Sequence, residues 1–263
     1  MMRVAWTHSW WAALGMFTTI PVPTVAVERD AAGQAVRWLP VVGLLVAVPA
    51  AGILLAVEAS GGSAQRRLLA STLAVAALAV LTGGLHLDGL TDSADGLASR
   101  RPPDEALAIM RRGDAGPLGV AVLILVLLLQ VTSLATLPAG LPAAAALVLA
   151  AVTARVAAVQ GTGTAFPAAR PEGFGALVAG ATPARVRLVW MTMLLVAVTV
   201  TGELTGGIRL AGLGLAGTSA GLIAGVLLCR AARARLGGLT GDVFGAVIEV
   251  ATTATLLVMA VLS

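Results

Sequence analysis

The sequence predicts an all-α fold, a polytopic integral membrane helical bundle of about seven transmembrane helices with an N-terminal interfacial helix in front of them. Three observations carry this expectation. Hydrophobic residues fill 58% of the 263 positions and mean hydropathy is +0.96, a balance from which no ordinary water-facing surface can be built. Only 11% of residues are charged, and they gather between uncharged runs long enough to cross a hydrocarbon layer. The arginines, finally, fall on alternate connections between those runs.

Each element follows from local chemistry. The stretch from Trp6 to Ile20 mixes Trp6, Trp10, Trp11 and Phe17 with His8, Ser9 and Thr18, then stops at Pro21-Val22-Pro23. That composition suits a helix lying at the interface or a short re-entrant one, and two prolines so close together end it. A charged loop with Glu28, Arg29, Asp30 and Arg37 follows. Spans are expected over 41–57, 68–87, 118–137, 141–160, 188–202, 210–229 and 243–262. Between the second and third, a polar loop runs through Arg100, Arg101, Asp104 and Glu105 to Asp114. No long polar stretch exists to form a soluble domain, so residues 1–263 are expected to make one integral membrane unit.

Seven spans put the N-terminus and alternate loops on one side. Thirteen arginines fall there, three (Arg66, Arg67 and Arg209) fall opposite, and Arg155 lies within a span. The arginine-rich side is therefore expected to be cytoplasmic. Trp6, Trp10, Trp11, Trp38 and Trp190 all sit near it, as an interfacial belt would require. No cleavable signal peptide is expected. All 17 basic residues are Arg, and without a basic run interleaved with aromatics nucleic acid is not an expected partner. The single Cys229 excludes an intramolecular disulfide.

Chemistry is concentrated in Gly83-Gly84-Leu85-His86-Leu87-Asp88-Gly89-Leu90-Thr91-Asp92-Ser93-Ala94-Asp95-Gly96. At roughly 100° per residue, Asp88, Asp92 and Asp95 share one helical face. Grouped carboxylates repel unless a cation sits among them, and hard oxygen ligands used sparingly beside phosphates suit Mg²⁺. A solvated polar helix start is the plainer alternative. Asp242 and Glu249 repeat the pattern seven residues apart, Glu249 about two turns into the last span. A carboxylate at that depth is paired, protonated or functional, and an ion pair with Arg155 is the structural alternative. Gly89 and Gly96, like the glycines around Asp242, let backbone N–H groups approach phosphate, although membrane helix packing also uses glycine. His86 suits orientation of a phosphate or acid–base work. Arg111, Arg112 and Arg170 suit anionic substrate, and Arg155 and Glu249 complete the substrate-binding candidates.

These residues resemble the cobalamin synthase family, adenosylcobinamide-GDP ribazoletransferase. The likeness rests on the fourteen residues beginning at Gly83, on Phe17-Thr18-Thr19-Ile20-Pro21-Val22-Pro23, on Leu39-Pro40-Val41-Val42-Gly43, and on Gly237-Gly238-Leu239-Thr240-Gly241-Asp242-Val243-Phe244-Gly245-Ala246. In one place the chain departs from the family. Many members carry Lys-Asp-Ser after Leu107-Ala108-Ile109-Met110, where this chain has Arg111-Arg112-Gly113 and its acid two positions later, at Asp114.

The resemblance implies a Mg²⁺-dependent transferase of vitamin B12 (cobalamin) biosynthesis in the cell inner membrane. Its substrates would be adenosylcobinamide-GDP and α-ribazole or α-ribazole 5′-phosphate, and its products adenosylcobalamin or its 5′-phosphate and GMP. Asp88, Asp92 and Asp95 would hold Mg²⁺ against the pyrophosphate, and Asp95 or Asp242 would help deprotonate the attacking hydroxyl. Arginines would bind phosphates while the corrinoid lies over the apolar interface, with membrane lipid and other corrinoid-pathway enzymes as neighbours. Two alternatives fit the residues less well. A CDP-alcohol phosphotransferase needs Ala-Arg after its Asp-Gly, which Asp88-Gly89 lacks. An ion-coupled transporter would use Asp88, Glu249 and Arg155 along a pathway but expects midplane polar groups and repeated halves.

Overall fold

The computed structural model describes residues 2–24 and 28–263, and the side chains among them apart from those of residues 2–7, 205 and 206. The side chains of Arg3 and Trp6, counted above toward sidedness and the aromatic belt, lie outside the described set. The chain is 79% helical, with no strand among the described residues. Seven helical stretches are long and apolar enough to cross a membrane, in keeping with a multi-pass membrane protein.

In order, α1 (Met2–Phe17) and the short α2 (Arg29–Ala35) lead into α3 (Leu39–Ala59), α4 (Ala64–Leu81), α5 (Leu85–Ala98), α6 (Pro103–Ile109), α7 (Pro117–Thr136), α8 (Leu141–Gly161), α9 (Phe174–Val178), α10 (Ala184–Leu236) and α11 (Gly241–Leu262). Local signals set several ends. Ser63 caps α4 by accepting from the Arg66 N–H at 3.3 Å, and Thr240 caps α11 from Val243 at 3.3 Å. Pro117 opens α7, where a missing N–H costs nothing.

α1 is not a lone surface helix. Ala12, Ala13, Leu14 and Phe17 are buried against α2 and α3, while Trp11 stays exposed. α10 runs as one helix by hydrogen bonding but reverses at Gly207, where φ is +69°. A Cβ on Gly202 would strike Ala211, and one on Gly214 would meet Val198, contacts that a straight helix forbids. It therefore supplies two antiparallel spans, Ala184–Leu204 and Gly207–Leu236.

α8 is the most enclosed span, packed against α3, α10 and α11. Gly217, Gly221 and Gly225 form the seam of α10's second span, where added Cβ atoms would meet Met259, Thr255 and Ala157. Small residues let membrane helices approach this closely.

The main correction concerns the second span. Instead of a helix over 68–87 running into a polar loop, α4 stops at Leu81 and a tight turn follows. Gly83 and Gly84 take φ of +62° and +71°, and the Gly84 N–H donates to Ala79 O at 2.8 Å. The acidic stretch then forms its own helix, α5, packed between α7 and α11.

Candidate active site

Two glycines set the geometry. A Cβ on Gly89 would lie 2.6 Å from the Asp242 carbonyl oxygen, and one on Gly245 would lie 3.2 Å from the Cα of His86. α5 and α11 therefore cross with their backbones touching, antiparallel, His86 beside Gly245 and Gly89 beside Asp242. This brings Asp88 and Asp92 to the same bundle end as Asp242, although they lie far apart in sequence.

A loop closes the site from above. Ala168 bridges to Leu239, with the Ala169 N–H donating to Leu239 O at 3.0 Å and the Leu239 N–H to Pro167 O at 2.9 Å. That clamp holds Arg170, Glu172 and Gly173 over a cavity of about 410 Å³. Its walls are His86, Asp88, Thr240, Asp242 and this loop, together with Met16, Phe17, Leu39, Leu85, Phe174, Phe244 and Ile248. The Arg170 guanidinium donates to Leu107 O at 2.9 Å through one Nη, and its buried Nε has no protein partner. Arg111 joins Arg170, Asp104 and Glu172 around an adjoining, more open cavity.

Charge here is only partly answered. Burial, followed by the nearby Asp88, Asp242 and Asp95 carboxylates, pushes Asp92 up to about 6, with Arg170 pulling the other way. Burial lowers Arg170, opposed by Asp242 and Asp92 and aided by Arg111. Among the described residues no three His, Cys, Asp or Glu side chains converge as a metal-holding group. Asp95 is engaged elsewhere: its carboxylate accepts from the Gly116 and Gly119 N–H groups at 2.7 and 2.8 Å, capping α7 from a neighbouring helix. The expected three-acid arrangement thus becomes Asp88 and Asp92 with Asp242 across from them. Asp88 and Asp242 on the cavity wall, with Asp92 near them, are the kind of donors a hard divalent cation takes, one or two carboxylates with the rest of its shell filled by water and substrate oxygens.

Other sequence candidates fall outside the cleft. Gly89 serves the helix crossing, and Gly96 is buried against Met110, so both stand at packing contacts. Arg112 and Asp114 are exposed and do not line the cavity. Arg155 and Glu249 face a separate cavity of about 20 Å³ with Gln130 and Thr252, the size of about one water molecule. Glu249 accepts from Gln130 Nε2 at 2.8 Å, and Arg155 donates to Ala151 O at 3.2 Å. Within 4.0 Å, the ion pair among the described residues is Arg101 with Glu105, so the Arg155–Glu249 pair, the structural alternative for Glu249, is not closed. Sequence reasoning assigned no role to Phe174, Glu172 or Thr240. The only signal for them was their place beside glycines that proved to be turn and contact positions.

The sequence profile of the family described as cobalamin-5-phosphate synthase matches residues 9–260. A protein of Nocardioides sp. named adenosylcobinamide-GDP ribazoletransferase is 39% identical over 98% of this chain and 99% of its own length. One of the same name from Frankia casuarinae is 38% identical over 89% and 87%, and one from Pseudomonas aeruginosa 37% identical over 94% and 96%. No solved structure matches the chain.

Proposed function

The chain belongs to the cobalamin-5-phosphate synthase family, and on that footing we propose that it is an adenosylcobinamide-GDP ribazoletransferase. It would join adenosylcobinamide-GDP to α-ribazole or α-ribazole 5′-phosphate and release GMP. The observation that supports this most directly is the cleft itself, where Asp88 and Asp242 face Arg170 beside an apolar, nucleoside-sized cavity. Anchoring groups for a pyrophosphate and a compartment for an organic substrate lie together.

We infer Mg²⁺ as the cofactor, held by Asp88 and Asp92 with Asp242 facing them. When bound, the ion neutralises charge that develops as GMP leaves. The chain's own groups do the rest. Arg170, whose Nε lacks a protein partner, and Arg111 bind phosphate oxygens. Asp242, inside the cavity, accepts the proton of the ribazole hydroxyl. A new P–O bond forms between that hydroxyl oxygen and the phosphorus carried by adenosylcobinamide, and the P–O bond to GMP breaks. His86, buried in the cavity wall, orients the substrate. Asp95 fixes the start of α7 and so the height of α5. The arginine-rich bundle end then faces the cytoplasm, where the nucleotide substrate is found, and the membrane is the cytoplasmic one.

The test is GMP release and cobamide formation by membranes containing the protein, supplied with adenosylcobinamide-GDP, α-ribazole 5′-phosphate and Mg²⁺. Product from the wild type and none from Asp88→Asn is expected. A folded wild type that yields nothing with either form of ribazole would refute the assignment.

A further inference from the structure

Two substrates meet at this cleft, and only one has a part that suits the cavity. A corrin with its peripheral amides is far larger than about 410 Å³, so the macrocycle stays outside. The choice narrows to the guanosine end of one substrate or the base of the other. Guanine carries N–H and C=O groups on its edge, which are costly to bury without partners. Met16, Phe17, Leu39, Phe174, Phe244 and Ile248 supply an apolar stretch of the wall, and the polar side chains on it, His86, Asp88, Arg170 and Asp242 among them, are taken up by the phosphates and the reacting hydroxyl. Three of these form an aromatic chain, Phe17 against Phe174 and Phe174 against Phe244, each edge to face at 5.7 Å between ring centres. A flat aromatic base without polar substituents, an alkylbenzimidazole, matches such a wall.

We propose that this phenylalanine-walled cavity seats the base of the ribazole substrate, and that Phe174 sets base specificity. The proposal rests on the transferase reading. It orients the substrate with its base among the phenylalanines and its ribose toward Asp88 and Asp242, while the pyrophosphate of the other substrate approaches under Arg170. Phe174 holds the middle of the aromatic chain, yet it is only half-buried and stands on the five-residue α9. It can be changed with less risk to the fold than Phe17 or Phe244, which are 6% and 5% exposed.

The experiment measures KM for both substrates in wild type, Phe174→Ala and the milder Phe174→Leu. In parallel, calorimetry on purified protein follows binding of α-ribazole 5′-phosphate and of its adenine-containing counterpart. Phe174→Ala is expected to raise KM for the ribazole about tenfold and Phe174→Leu about threefold, with KM for adenosylcobinamide-GDP within about twofold of wild type. Wild type is expected to bind the benzimidazole form about tenfold more tightly than the adenine form, a preference that shrinks in Phe174→Ala. A rise in KM for adenosylcobinamide-GDP instead, or no change in either constant, overturns the assignment while leaving the transferase standing. Ribazole binding that depends on Phe174 without any product would keep the pocket and remove the transferase. Neither binding nor product removes both.

Discussion

Asp242 and Glu249 stand two turns apart on α11, and each is the centre of a polar cluster. The outer cluster faces an open cleft, and its carboxylates repel one another with a single guanidinium, Arg170, to offset them. The inner one is cramped: Glu249 is hydrogen-bonded by Gln130, Arg155 is tied to Ala151 O with its buried Nε left without a protein partner, and little room remains between them. The same residue types on the same helix therefore do opposite things. Charge beside open space is available to a ligand, whereas charge enclosed with little room beside it serves architecture.

Several measurements can break or sharpen this contrast. The largest effect is expected from Asp88→Asn, which should lower kcat about a thousandfold while Glu249→Gln changes it by no more than about threefold. Comparable losses from the two would erase the distinction. Next, Arg155→Leu should cost about 3 kcal/mol of stability by leaving Glu249 buried without its nearby cation, and adding Glu249→Gln should recover much of it, both read by denaturation in detergent. Recovery of activity but not stability would place Arg155 with the outer cluster. Asp95→Asn should cost about 1.5 kcal/mol, because one carboxylate oxygen is lost to the start of α7, with KM for both substrates little changed.

The smallest effect is a pH dependence. Asp92 is held at about 6 when folded and near 3.9 when unfolded, so the folded chain keeps its proton longer. Its contribution to stability is present below about pH 4 and is lost as pH rises through 6. Because solvent screens this partly exposed carboxylate and cuts most of that linkage, in metal-free protein the melting temperature should fall by only about 1–2 °C across that window, and Asp92→Asn should flatten the slope.

Much of this was legible in the residues. Hydropathy located the spans, and the spacing of Asp88, Asp92 and Asp95 placed them on one helix. Spacing along one helix does not say which neighbour each side chain meets. Asp95 turned toward the N–H groups of α7, and Asp88 and Asp92 turned toward Asp242, partners that the fold alone supplies. The helix expected over 68–87 passes through Gly83 and Gly84, whose positive φ angles divide it. Phe174 carried no local signal, because a five-residue helix in a glycine-rich loop has no periodicity to detect. Arg155 and Glu249 read as substrate candidates because charge in a span suggests function, and their place beside a small separate cavity, away from the cleft, is supplied by the fold alone.

The crossing of Gly89 over Gly245 also bears on how the protein is made. α5 leaves the ribosome long before α11, and until α11 arrives Asp88 and Asp92 lack the helix that faces them, while Asp95 can already engage the start of α7. The enzyme would thus be born in two stages, with a greasy bundle inserted first and the acidic helix held on α7 alone until α11 completes its seat. Truncation within α11 would leave a protein that still reaches the membrane but has no cleft, and a stalled nascent chain would carry its reactive end unfinished.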